Sequence, residues 1–308
     1  MGLAIAVPLH AQASGCAPYA GRTRNVCDAA VDGTRAFHPI VGLLVSGGNP
    51  VLGTAGTLGG LGRFSVTARA NAARVVLPET GYDGSTSTVP ASDELFAPVP
   101  LVEVAAGLYA GMPTGLLAVD VLGSAQLLPT DQLDNLAVAQ GARRIGTVAL
   151  GLGYGVRIGI LRERGPVPGV SVSLMRRDIP PLTYGDLDDG DRYRYAVNLH
   201  ATNLRLVAGK QLGVVELAAG LGWDRYTGDA EIRFRDPTTS IVQPAIQLDL
   251  DQTRAVLFLD AGLDLRILRL VGEAGYQTGK DQGLSADFED FDTTSGKAFA
   301  SLGLRVSL

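Results

Sequence analysis

No stretch of 18 consecutive apolar residues occurs in the chain, which excludes a helix that spans a bilayer. Long clusters of Lys and Arg are also missing and the formal net charge is −5, so nucleic acid is not an expected partner. Cysteine is scarce. Cys16 and Cys27 are the only two, with His38 as the one nearby imidazole, and that set does not complete a tetrahedral metal site. The glycines of residues 47–62 lack the Gly-Lys-Ser/Thr ending of a phosphate loop. Neither a nucleophile elbow nor a metalloprotease helix is present, so no catalytic residue, enzyme activity or cofactor is expected.

Glycine, by contrast, is abundant: 40 of 308 residues, about twice the usual share, without a collagen period. Hydrophobic residues make up 46% and mean hydropathy is +0.19. Without a spanning helix, these values fit a buried α/β enzyme or a transmembrane β-barrel.

Residues 1–13, "MGLAIAVPLHAQA", read as a signal peptide cleaved before Ser14, which would carry His10 away. The basic region that usually opens such a run is missing, which points to a truncated start; a buried N-terminal strand is the other reading. Export favours a Cys16–Cys27 disulfide, whereas an unexported chain would keep two free thiols. Lipidation of Cys16 is disfavoured by Ala13, where Leu is usual. Residues 14–60 form a distinct N-terminal segment. Asn25 can cap a helix to about Val45, with Gly33 and Pro39 weakening its middle, before a Gly-rich connector.

From residue 61 to 308 the period becomes two. In "VALGLGYGVRIGIL", residues 148–161, bulky residues occupy the even positions, while Gly151, Gly153, Gly155, Arg157 and Gly159 occupy odd ones. Similar two-faced segments recur around Phe64–Asn71, Val102–Tyr109, Val170–Met175, Tyr193–His200, Val214–Trp223, Arg254–Arg266 and Arg269–Gln277. Short turns near 111–114, 163–167, 208–211 and 266–268 alternate with longer links at 78–98, 129–142, 179–191, 227–252 and 280–295. This parity predicts an all-β fold, an antiparallel transmembrane β-barrel of about ten strands. A further hairpin within 227–252 would make twelve.

The ending "FASLGLRVSL" resembles the last strand of bacterial outer-membrane β-barrels, with Ala300, Leu302, Leu304, Val306 and Leu308 on one face. That porin-like resemblance implies location in the outer membrane, contact with its lipid, and both termini in the periplasm. It also implies insertion by the barrel-assembly machinery, although Leu308 stands where an aromatic residue is commoner. "SGGNPVLG" is similar to the Asn-Pro element near the start of outer-membrane transporters for hydrophobic substrates, which place an N-terminal hatch before the barrel. This chain is shorter, so no lipid-binding site is carried over.

If the bulky faces meet lipid, the lumen holds Arg69, Arg157, Arg177, Arg194, Arg254, Arg266, Arg269 and Arg305. Facing them are Glu103, Asp120, Glu216, Asp260, Asp264 and Glu273, with His200 as a hydrogen-bonded lumen histidine. Mixed signs favour an ion-pair network, and the same charges could select a small solute. Asp186, Asp188, Asp189 and Asp191 form an acidic loop, either solvated or a weak calcium site. Trp223, Tyr193 and Tyr276 are placed in a sparse aromatic belt on the lipid face. Two functions fit: a small pore or solute-transport barrel partly plugged by residues 14–60, or a non-conducting barrel acting through its outer loops. The glycine lane of 151–159 is the expected seat of the N-terminal helix, with Arg157 meeting an acidic partner.

Overall fold

The computed structural model describes residues 15–113, 116–129, 136–138, 144–145 and 148–308. The signal-peptide expectation for residues 1–13 lies outside the described residues. Ten long strands build the wall: β1 (Phe64–Pro78), β2 (Ala91–Tyr109), β3 (Val119–Pro129), β4 (Val148–Leu161) and β5 (Gly169–Tyr184). They continue as β6 (Tyr193–Leu212), β7 (Val215–Phe234), β8 (Ile246–Leu265), β9 (Leu268–Gln277) and β10 (Lys297–Ser307). Each pairs antiparallel with its neighbours in sequence. The ring closes where β1 meets β10, from Ser65 opposite Ser307 to Ala73 opposite Phe299. Closure leaves no free sheet edge, which is the condition for placing strands in hydrocarbon.

The barrel has ten strands, and the residues of a possible extra hairpin lie elsewhere. "AEIRFRD" begins in the upper end of β7 and "AIQLDLD" in the start of β8, so both mainly lengthen existing strands. The two-residue turns at 213–214 and 266–267, with residues 110–113, 116–118 and 162–168, lie at one end. The links 79–90, 185–192, 235–245 and 278–296 lie at the other. In the long-loop end, Thr88–Val89 pairs in parallel with Asp287–Phe288 and ties two of these links together.

A single long helix, α1 (Gly21–Ser46), runs inside the ring. It starts before Asn25 and has no side-chain N-cap. Twenty-six residues span about 39 Å at 1.5 Å per residue, enough to cross most of the lumen. Isolated, so poorly capped a helix with an internal Pro39 would be weak; here nearly every residue from Val26 to Ser46 is buried against the wall. Pro39 has no N–H to offer the Arg35 carbonyl. With its amide oriented to satisfy both ends, Gln282 donates to that carbonyl at 2.9 Å. The helix stops at Gly47 (φ 59°), whose N–H bonds Leu43 O at 2.9 Å.

The long-loop end holds the start of this segment. Cys16 and Cys27 form a disulfide, Tyr19 packs edge-on against Phe234 at 5.0 Å, and Arg22 pairs with Asp83. Hydrogen bonds from Ser85, with Arg22 beside them, hold the Asp83 carboxyl below the usual carboxylate range. At the opposite end Leu308 exchanges hydrogen bonds with Phe64 at 2.9 Å. Among the described residues Gly15, beside Ile246, and Leu308 lie at opposite ends of the barrel.

The helix does not lie on the glycine lane. Space over Gly151, Gly153 and Gly155 is filled by neighbouring strands, through Ile179, Gln126, Arg177 and Met175. The helix instead packs mainly against β6, β7 and β1. A Cβ at Gly42 would come within 2.5 Å of the Tyr226 ring on that wall. Around Phe37, the rings of Tyr184 and Tyr195 lie 6.4 Å and 5.9 Å away, so the upper lumen is an aromatic core.

Candidate functional site: the seat of the N-terminal segment

Below the helix the lumen changes from apolar to charged. The last turn of α1 ends in unpaired carbonyls, the negative end of the helix dipole. Arginines from the wall meet them. Arg205 donates to Gly47 O at 2.9 Å and to Gly48 O at 2.8 Å, and Arg69 reaches Ser46 O at 3.4 Å. Asn71 donates to Leu44 O at 2.7 Å. Where the chain next turns its N–H groups outward, carboxylates take over. Glu273 accepts from Gly48 N at 2.9 Å and Asn49 N at 2.6 Å, and Asp260 accepts from the Asn49 side chain at 2.5 Å.

These groups are linked through the wall. Glu103 accepts from Arg69 at 3.1 Å and from Arg177 at 3.0 Å. Arg177 bonds Asn203 at 2.5 Å, and Asn203 in turn bonds Asp224 at 2.6 Å and Ser46 Oγ at 3.1 Å. Asp224 also receives Arg205 at 2.5 Å and the Tyr226 hydroxyl at 2.9 Å. All of these groups are buried, where a lost partner is costly.

Residues 49–58 continue toward the short-turn end, still attached by main chain. Ala55 N donates to Glu216 at 3.2 Å, and Ser171 donates to Ala55 O at 2.7 Å. Leu58 N donates to Asp120 at 3.1 Å, the same carboxylate that Arg157 grips through two nitrogens at 2.9 Å and 2.7 Å. Arg269 bridges Glu216 and Asp264 and donates to Gly53 O at 3.2 Å. Arg305 reaches Leu52 O at 3.5 Å.

Of the residues expected in the lumen, Arg69, Glu103, Asp120, Arg157, Arg177, Glu216, Arg254, Asp260, Glu273 and Arg305 are buried on the inner face. Asp264 and Arg269 sit at its lower rim. Three others do not belong there. Arg194 lies exposed on the outer face, and His200 pairs there with Asp178 at 2.6 Å. Arg266 occupies a two-residue turn at φ 69°, exposed at the barrel's end. The cause at β6 is a change of phase. Near its lower end Leu204 and Leu206 point outward, whereas at its upper end Tyr193, Tyr195, Val197 and Leu199 point inward onto the helix. Tyr193 is thus fully buried, its hydroxyl on Glu79 O at 3.1 Å, and takes no part in an outer belt. Trp223 and Tyr276 remain outside, 43% and 48% exposed.

The acidic loop is organised by its own turns. Asp186 accepts from Asp188 N at 2.9 Å, while Asp191 accepts from Asp186 N at 2.6 Å and from Thr80 at 2.7 Å. Among the described residues no three His, Cys, Asp or Glu side chains converge as a metal site. Sequence reasoning missed Arg205, Asn203, Asp224 and Asn49. For Arg205 and Asp224 the available signal was a charge alternating with Leu204, Leu206 and Trp223.

A closed antiparallel ring with short turns at one end and an apolar outer band defines the outer-membrane class of β-barrel, and this chain has that fold. No particular family is identified: no family model and no curated protein matches the chain. Among solved structures it is similar to the outer membrane protease OmpT from Escherichia coli, at 11% identity and TM-score 0.39, covering 80% of this chain and 96% of that one. It is also similar to the translocator domain of the autotransporter NalP from Neisseria meningitidis, at 10% identity and TM-score 0.38, covering 92% and 98%. Neisserial surface protein A shares 10% identity with TM-score 0.29, covering 80% and 98%.

Proposed function

We propose that this protein is a small-solute passage of the bacterial outer membrane, held closed by its N-terminal segment, residues 14–60. One observation carries the reading: from Ser46 to Leu58 the segment is attached by main-chain groups bonded to wall charges. Such bonds can be exchanged for water, so releasing this stretch leaves a hydrated, charged lower lumen. In this reading the long loops face the exterior and Leu308 the periplasm, and the assembly machinery reads the β10 strand during insertion. The segment then enters from outside.

Planar-bilayer recording tests the proposal. The intact protein is expected to be closed or to open rarely. Variants that weaken the seat, such as Glu273→Ala, are expected to open in discrete steps while keeping heat-modifiable migration. Silence in both the intact protein and folded seat variants would reject the passage and favour a non-conducting barrel that acts through its long-loop end.

A further inference from the structure

A second polar feature lies at the long-loop end, away from the seat. Six arginines are buried: Arg69, Arg157, Arg177, Arg205, Arg254 and Arg305. The first four each have a carboxylate within 4.0 Å. Arg254, only 5% exposed, has no such partner among the described residues. Its bonds go to neutral oxygens, Thr253 O at 3.0 Å and the Gln282 side chain at 2.9 Å. A buried guanidinium served by neutral groups alone lacks the counter-charge that offsets its desolvation.

Arg254 lines a crevice of about 20 Å³ beneath Pro39, between α1 and the 278–296 link. Lys297 lines it too, its ammonium 4.6 Å from the Phe291 ring centroid and likewise with no carboxylate within 4.0 Å among the described residues. No Asp or Glu contributes to the lining, whereas the hydroxyl-bearing Thr278, Thr293 and Ser295 do. The Thr278 hydroxyl accepts from Ala255 N at 3.1 Å and so keeps its own proton for donation. Asp292, on the same link, is engaged by Thr294 at 2.7 Å.

We infer that this crevice binds a small oxyanion through Arg254 and Lys297. Two cations and a free hydroxyl donor in a crevice lined by no carboxylate are the chemistry that recognises carboxylate or phosphate. The ligand would arrive from the long-loop side, and its binding requires no movement of the lower seat.

Isothermal titration calorimetry of the purified full chain in detergent, at low ionic strength with inorganic phosphate as probe, tests this. Saturable binding is expected, weakened at least about tenfold by Arg254→Gln and by Lys297→Gln. Arg194→Gln, on the outer face, is expected to leave it unchanged. Heat-modifiable migration checks that each variant is folded, and Lys297→Gln decides the matter if Arg254→Gln is not. The inference is overturned by wild-type protein that binds no phosphate saturably, or by undiminished binding in the folded crevice variants. Because the readout is not conductance, its failure is distinct from failure of the closed-passage reading.

Discussion

Glu273→Ala removes the carboxylate that accepts Gly48 N at 2.9 Å, Asn49 N at 2.6 Å and Ser301 Oγ at 3.1 Å, and that faces Arg69 at 3.7 Å. Two main-chain N–H groups lose their acceptor where water is excluded, at about 1–3 kcal/mol each. Arg69 keeps Glu103 at 3.1 Å, so its own loss is partial. A total of about 3–5 kcal/mol follows, the usual cost of breaking a buried polar pair, and the terms are not strictly additive. At about 1.4 kcal/mol per factor of ten, release of the segment rises by roughly two to three and a half powers of ten. Amide hydrogen exchange on the detergent-solubilised protein reads this directly. Residues 47–58 should lose protection by that factor, while β1 and β9 amides away from the seat keep theirs. Glu273→Gln retains one acceptor oxygen and should show a smaller loss. Unchanged exchange at 47–58 in a folded Glu273→Ala protein would refute this account of the seat.

Other outcomes follow from the same geometry. Asp120→Ala strips Arg157 of both of its bonds, at 2.9 Å and 2.7 Å, and should cost about 3–5 kcal/mol, seen as a lower temperature for the heat-modifiable gel shift. Gly42→Leu drives carbon into the Tyr226 ring, which Asp224 and Gln277 hold by its hydroxyl at 2.9 Å and 2.8 Å. An overpacking cost of about 1–3 kcal/mol should lower the same transition; no change would show that the helix can shift aside. Cys16→Ser opens a loop with a sequence separation of 11, worth about 3 kcal/mol in chain entropy, and should raise exchange at residues 15–27 while sparing the strands. A tag inserted before Cys16 should be labelled in intact cells, and a tag after Leu308 only after permeabilisation; the reverse would invert the barrel.

The ring was legible because lipid imposes one demand on every strand that crosses it. Leu217, Leu221 and Trp223 point outward as that demand requires, and Glu216 and Asp224 point inward. The phase failed above this band because a different apolar medium begins there. The upper wall has water outside and helix α1 inside, so Tyr226, Ile232 and Phe234 turn inward while Arg225 and Arg233 face solvent. Alternation is kept along the whole strand, but the bulky residues change from odd to even positions without a bulge. Two apolar environments on opposite faces thus look like one continuous pattern, and assigning every bulky face to lipid misplaced Arg194 and His200. The same reasoning explains the glycine lane. Its lightness accommodates the long side chains of β3 and β5, a requirement that β4 alone does not disclose.

The opposite placement of Gly15 and Leu308 makes the molecule a thread through a ring. Residues 15–63 run from the long-loop rim to the short-turn rim before β1 begins, and the β1–β10 seam closes around them. The order of events in folding is thereby constrained: the segment has to be inside before that seam zips, or be drawn through afterwards. The Cys16–Cys27 link then acts as a knot at the upper rim. With the knot tied, withdrawing the thread downward would mean drawing a covalent loop, not a single strand, through the bore. If the passage reading holds, the disulfide disfavours full ejection toward the short-turn side and favours upward release or rearrangement within the ring.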